Sequence, residues 1–157
     1  MLTLEDSIEI KTTPSKLLAW FMDLDRHFTE WHPNHTKFEK VTGGMEVGDI
    51  IRFEERIKGK WFKFNFTITE KNITDRGWTI ETRAPYSKII FIAEQKDDLT
   101  IFTHREQFGL FTSDNALIRK LLAPIFRFLT NPKFRYDLIE NDIREDNVNL
   151  KQIMERQ

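Results

Sequence analysis

His104 and Glu106 alternate with Phe102 and Phe108. If residues 99–110 form a strand, these four side chains share one face. By the same alternation Glu55 lies with Ile51, Phe53 and Ile57. A histidine and two carboxylates on an apolar wall are costly to bury unless they are paired, hydrogen-bonded, metal-bound or hydrated, so they point to a site. Two other arrangements are open: the strand turns its other face inward, or the interior is solvated there, as inward charges at a sheet rim often are. With the Phe-bearing face inward, His104 is the candidate general base and Glu55 or Glu106 the group that orients it. Proton transfer by a positioned histidine contributes about 10²- to 10⁴-fold.

The second cluster is Trp31-His32-Pro33-Asn34-His35. With Glu55 and His104 it offers imidazole and carboxylate groups of the kind zinc or iron accepts. Its spacing is a weak signal, so no metal and no cofactor are assigned: His32 is expected to cap a short helix, and His35 to face solvent or the mouth of a cavity. Ser7, Ser15, Ser87 and Ser113 sit in no nucleophile elbow, which argues against an acyl-enzyme. The run Arg144-Glu145-Asp146 reads as the solvated face of a helix, with Lys151 and Glu155 spaced to pair at i, i+4.

These residues need a scaffold. Residues 3–11 end in the alternation Ile8, Ile10, a first strand. Thr13-Pro14 reads as an N-cap with proline at the first helical position, followed by the apolar face Leu17, Leu18, Phe21 and Met22. A second short helix over 25–32 stops before Pro33. From 36 to 110 the period is two, and the turn residues predict strands at 36–42, 48–57, 60–71, 77–84, 87–95 and 99–110. Short connections make them antiparallel. In 60–71, Phe62, Phe64, Phe66 and Ile68 share the inward face. Ser113 caps a further helical stretch through Leu129, with Pro124 interrupting it and Asn131-Pro132 ending it. Residues 133–155, with Phe134, Leu138, Ile139, Ile143, Leu150, Ile153 and Met154, form a long amphipathic helix. That helix is the only element long enough to cover the concave face of the sheet. The fold class is α+β: a curved seven-stranded antiparallel sheet wrapped around a C-terminal helix, residues 1–157 forming one domain.

Composition narrows the chemistry. The 157 residues hold 24 Lys+Arg against 25 Asp+Glu, a net charge of -1, which gives no field to attract nucleic acid. No stretch reaches the roughly 18 apolar residues of a membrane helix, and the acidic amino terminus is unlike a secretory signal, so the chain reads as cytoplasmic. The absence of cysteine excludes disulfides, thiolate nucleophiles and cysteine-ligated metals. Aromatic residues make 13% of the chain, 14 of them Phe. Such rings fill a bulky core or line a pocket for an apolar ligand.

The opening strand with Thr13-Pro14 before Leu18-Ala19-Trp20-Phe21, then Trp31-His32-Pro33, Val47-Gly48-Asp49, and Asn149-Leu150-Lys151 through Glu155 occur in an order and spacing that resembles the START-like superfamily, the SRPBCC or Bet v 1-like fold that includes polyketide cyclase-type proteins. The resemblance implies a helix-grip domain with a cavity between sheet and helix. Its members bind lipids, quinones, sterols, plant hormones or polyketides, and a minority are enzymes. Some hydrolytic members hold a metal with two His and two Glu, a His and a Glu among them one turn apart on the long helix; here 133–155 has no histidine. The glycine-rich loop of plant members is reduced to Gly43-Gly44, so no phosphate role transfers to it.

The expected function is therefore the binding of a small hydrophobic molecule, a lipid, quinone, polyketide or similar. Phe53, Phe62, Phe64, Phe66, Ile80, Phe91, Phe102 and Phe108 are expected to form the walls. Phe134, Leu138 and Ile139 would form the lid, and Glu55, His104 and Glu106 would orient the ligand. This reading fails if the interior is packed solid, with no cavity of at least about 300 Å³. The alternative is a cyclase or dehydratase without cofactor, or a metal-dependent hydrolase, using His104 with Glu55 or Glu106. A carboxylate within about 3.2 Å of His104 would support that alternative. A third reading places a partner-protein surface at Phe126 to Leu129.

Overall fold

Thr13 accepts a hydrogen bond at Oγ1 from the Lys16 amide at 3.3 Å, and Pro14 follows it with its φ already suited to a helix. This cap starts α1 (Pro14–Met22), which follows β1 (Leu2–Ile10). Asp23 ends α1 and opens α2 (Leu24–Trp31), and His32 is already extended ahead of Pro33. The computed structural model describes residues 2–109 and 135–156. The expected helix after Ser113, the Asn131-Pro132 break, Phe134 and the Phe126 to Leu129 surface lie outside the described residues.

Six more strands follow: β2 (His35–Lys40), β3 (Ile50–Ile57), β4 (Lys60–Thr74), β5 (Gly77–Ala84), β6 (Ser87–Lys96) and β7 (Leu99–Phe108), and then α3 (Tyr136–Glu155). They form one seven-stranded antiparallel sheet in the order β1-β7-β6-β5-β4-β3-β2. The pairing of β1 with β7 carries the first strand across to the last. Register shifts between His35 and Lys37 and between Ile68 and Glu70 mark irregularities of the kind that bend a sheet. β2 stops at Lys40, short of residue 42, because the Val41 and Thr42 amides both turn to the Ile50 carbonyl, at 2.8 and 3.1 Å.

The helix α3 lies along β1 and is pinned at several heights. The Asn147 amide donates to Asp6 Oδ2 at 2.8 Å, Lys151 Nζ to the Glu9 carbonyl at 2.5 Å, and the Lys11 amide to Glu155 Oε1 at 2.8 Å. Lys151 also pairs with Glu155 at 3.0 Å, as its spacing predicts. From the other side Trp31 Nε1 donates to the Asp146 carbonyl at 2.9 Å and ties α2 to the middle of α3.

One half of the space under the sheet is packed solid. Phe21, fully buried, places its ring 5.1 Å from those of Trp78 and Phe91 and 5.4 Å from those of Trp31 and Phe102. Trp78 Nε1 finds a partner in the Pro14 carbonyl at 2.8 Å, so its indole is buried without an orphaned donor. Phe21→Ala is expected to lower stability by about 3–5 kcal/mol, since the surrounding rings cannot collapse into the space. Thr13→Ala, which removes only the α1 cap, is expected to cost about 1 kcal/mol. Denaturant midpoints at unchanged slope measure both; equal losses would contradict this view of where the core lies.

Candidate functional site

The other half of the space under the sheet holds a cavity of about 150 Å³. Its apolar walls are Phe53 and Ile57 of β3, Phe62, Phe64 and Phe66 of β4, Ile89 and Phe91 of β6, Phe108 of β7, and Ile139 and Ile143 of α3. Tyr86 at the β5–β6 turn and Phe64 are exposed and line the same cavity, where it meets the surface. The interior is not packed solid, but the volume falls short of the 300 Å³ expected for a binding module; a cavity of about 150 Å³ has room for a single ring such as benzene.

Of the expected site residues, Phe53, Glu55, Phe62, Phe64, Phe66, Phe91, His104, Glu106 and Phe108 all line this cavity. Ile80 and Phe102 are buried in the solid core instead, Phe102 stacked on Phe91 with ring centroids 6.2 Å apart. Leu138 on α3 is half-buried and does not line the cavity; its neighbour Ile139 does.

The polar groups gather at one place because the register puts them there. His35 pairs with Glu55 across β2 and β3, and His104 and Glu106 pair with Phe91 and Ile89 across β6 and β7. From the facing helix, Ile139, Asp142, Ile143 and Asp146 fall at i, i+3, i+4 and i+7, one stripe turned to the cavity. The stripe corrects the assignment of Arg144-Glu145-Asp146 to a solvated face: Arg144 and Glu145 are exposed, whereas Asp146 is 4% exposed. Of the two places expected for His35, solvent and the cavity mouth, the structure gives the cavity: it lines it at 5% exposure, its ring stacked on Phe28 at 4.0 Å.

His35 Nδ1 must donate to the Phe28 carbonyl at 3.1 Å, because a carbonyl can only accept. Its Nε2 therefore points an open lone pair at Asp146 Oδ1, 3.4 Å away, and Glu55 Oε1, 3.8 Å away. His104 is buried at 4% exposure, with Nε2 3.4 Å from Glu106 Oε1 and Nδ1 3.8 Å from Asp146 Oδ2. These contacts exceed the 3.2 Å sought for a general base and its orienting carboxylate. Neither nitrogen of His104, nor Asp146 Oδ1, has a hydrogen-bond partner among the described residues. His32 is held differently: its Nδ1 accepts the Asn34 amide at 3.0 Å, so its Nε2 carries the proton that it donates to Glu145 Oε2 at 3.0 Å. Asn34 Nδ2 in turn donates to Asp142 Oδ1 at 2.8 Å.

Burial dominates the electrostatics. It pushes the Glu55 carboxyl up to about 8, helped by the nearby Glu106 and Asp142 charges. It raises Asp146 well above the usual carboxylate range, with Asp142 and Glu55 next in effect. Burial lowers His35 to about 3, with the His32 charge adding to it. Near neutral pH His35 is thus a neutral imidazole, and most of Glu55 is a neutral acid. Their close approaches are not ion pairs. Among the described residues, the groups that could hold a metal are His32, His35, Asp142 and Asp146, each buried, with one donor atom apiece all within 4.8 Å of one another. The two aspartates were legible only from their place on the apolar stripe of α3.

No helix among the described residues is long and apolar enough to cross a membrane. No family model matches the chain, and none of the curated proteins does. Solved structures do. Norcoclaurine synthase from Thalictrum flavum superposes with a TM-score of 0.64 at 10% identity, over 99% of this chain and 87% of that one. The Polyketide_cyc-like protein Cgl2372 from Corynebacterium glutamicum gives 0.56 at 18% identity, over 98% and 91%. A START superfamily protein from Mycobacterium smegmatis gives 0.53 at 10% identity, over 91% and 97%. Together with the seven-stranded sheet and the C-terminal helix that packs on it, these likenesses show that the chain has the START-like helix-grip fold.

Proposed function

We propose that the protein binds a small hydrophobic molecule in the cavity between the sheet and α3, its apolar body against the Phe walls and one polar group among His35, Glu55, His104 and Asp146. The observation that carries this reading is the segregation of the cavity lining: aromatic and aliphatic side chains over most of it, and imidazoles and carboxyls gathered together, with burial raising Glu55 and Asp146 above the usual carboxylate range. Neutral Glu55 can donate and neutral His35 can accept, so this end suits a hydroxyl or carbonyl. Ligand sites of this kind are mostly apolar, with a few placed polar groups that fix orientation. The volume of about 150 Å³ favours a compact ring, such as a phenol or a small quinone, over a long acyl chain.

The test is a titration by heteronuclear NMR with hydrophobic molecules graded in size, from a one-ring phenol to a long-chain fatty acid. The one-ring compounds are expected to bind and to shift the Trp31 indole and His104 resonances. Ile89→Trp, which extends a larger ring from a half-buried position on the wall, is expected to weaken that binding at least tenfold with the fold intact. Equal binding by Ile89→Trp, or shifts confined to residues outside the cavity, would overturn the assignment.

A further inference from the structure

We propose that His35 and Asp146, together with His32 and Asp142, bind one divalent transition-metal ion of the zinc class at the polar end of the cavity. This inference stands on the side-chain geometry and does not require that the organic ligand be of the size argued above. Imidazole with carboxylate is a donor set that zinc and its neighbours accept, and none of the four residues is a surface group. Donor atoms held about 2.0–2.2 Å from a tetrahedral ion lie roughly 3.3–3.6 Å from one another. His35 Nε2 and Asp146 Oδ1 are 3.4 Å apart, and His32 Nε2 and Asp142 Oδ1 are 3.7 Å apart.

Two further features point the same way. Metal-binding histidines commonly donate their second ring N–H to a backbone carbonyl or carboxylate, which fixes the tautomer and aims the other nitrogen. His35 is arranged in this way by its bond to the Phe28 carbonyl. Beside it, the buried His104 has no hydrogen-bond partner at either ring nitrogen among the described residues and faces Asp146 at 3.8 Å, and Asp146 Oδ1 is itself unpartnered. A cation bound to Asp146 Oδ1 would satisfy that oxygen and leave Oδ2 to accept from His104 Nδ1. His32 is the less prepared ligand, because its Nε2 proton is engaged with Glu145 and its Nδ1 with the Asn34 amide. The arrangement therefore predicts an unequal set, with His35 and Asp146 contributing most of the affinity.

The experiment is calorimetric titration of chelator-treated protein with Zn²⁺, repeated with Co²⁺ and followed by visible absorption. The wild type is expected to saturate at one equivalent, with Co²⁺ giving the intense d–d bands of a low-symmetry, four-coordinate site. His35→Gln and Asp146→Asn are each expected to lose more affinity than the roughly 10–100-fold typical of an outer partner, and His32→Gln to lose an amount within that range. His27→Gln, altering a histidine that contacts Asp23 and Glu30 away from the cavity, is expected to bind as wild type does. Thermal unfolding in chelator shows which variants fold; Asp146→Asn, which removes a buried carboxyl, is expected to melt no lower than wild type. Failure of folded wild type to bind one equivalent, or equal binding by wild type and Asp146→Asn, would overturn the proposal.

Discussion

The site depends on seating α3 against the open half of the sheet while two of its carboxyls face inward. Burying an unpaired carboxyl costs several kcal/mol, so a helix free to rotate would turn Asp142 and Asp146 to water. It is held from turning by bonds in its middle and toward its C-terminal end: Trp31 to the Asp146 carbonyl, Asn147 to Asp6, and Lys151 to the Glu9 carbonyl. The Trp31 bond also anchors the end of α2, from which His32 and His35 follow. One contact thus sets the distance between the two groups of polar residues that face each other across the cavity.

The aromatic load divides between two tasks. Under α1 the rings of Phe21, Trp31, Trp78, Phe91 and Phe102 interlock and supply rigidity. On the far side of Phe91, Phe53 of β3, Phe66 of β4 and Phe108 of β7 line the space that remains a cavity. A rigid half beside an open half holds polar groups in place while leaving room beside them, as a binding site requires.

Much of this could be read from residue order. The two-residue period located the strands to within a few positions, and strand parity placed Glu55, His104 and Glu106 inside, because alternation is a local property of extended chain. Parity says nothing about how far along a strand the packing stops, so Ile80 and Phe102 were expected at the cavity and lie in the solid core instead. The carboxyls of α3 were missed for a related reason. Arg144, Glu145 and Asp146 are adjacent in sequence and look alike as a charge run, yet successive residues on a helix point about 100° apart, and only Asp146 falls on the stripe of Ile139 and Ile143. For His35 the sequence leaves solvent and the cavity mouth both open; it lies at the cavity, because its burial depends on Phe28 of α2 stacking on it, a contact set by how α2 packs on β2.

The claim that ties these features together is that imidazoles and carboxyls are buried in one cavity to serve an occupant. Native mass spectrometry of the purified protein, with a denatured sample and a metal analysis beside it, tests this most directly. The account predicts a native mass above that of the chain by a small organic molecule, one metal ion or both, with the excess lost on denaturation. A protein that stays bare after incubation with Zn²⁺ and with one-ring phenols would contradict it.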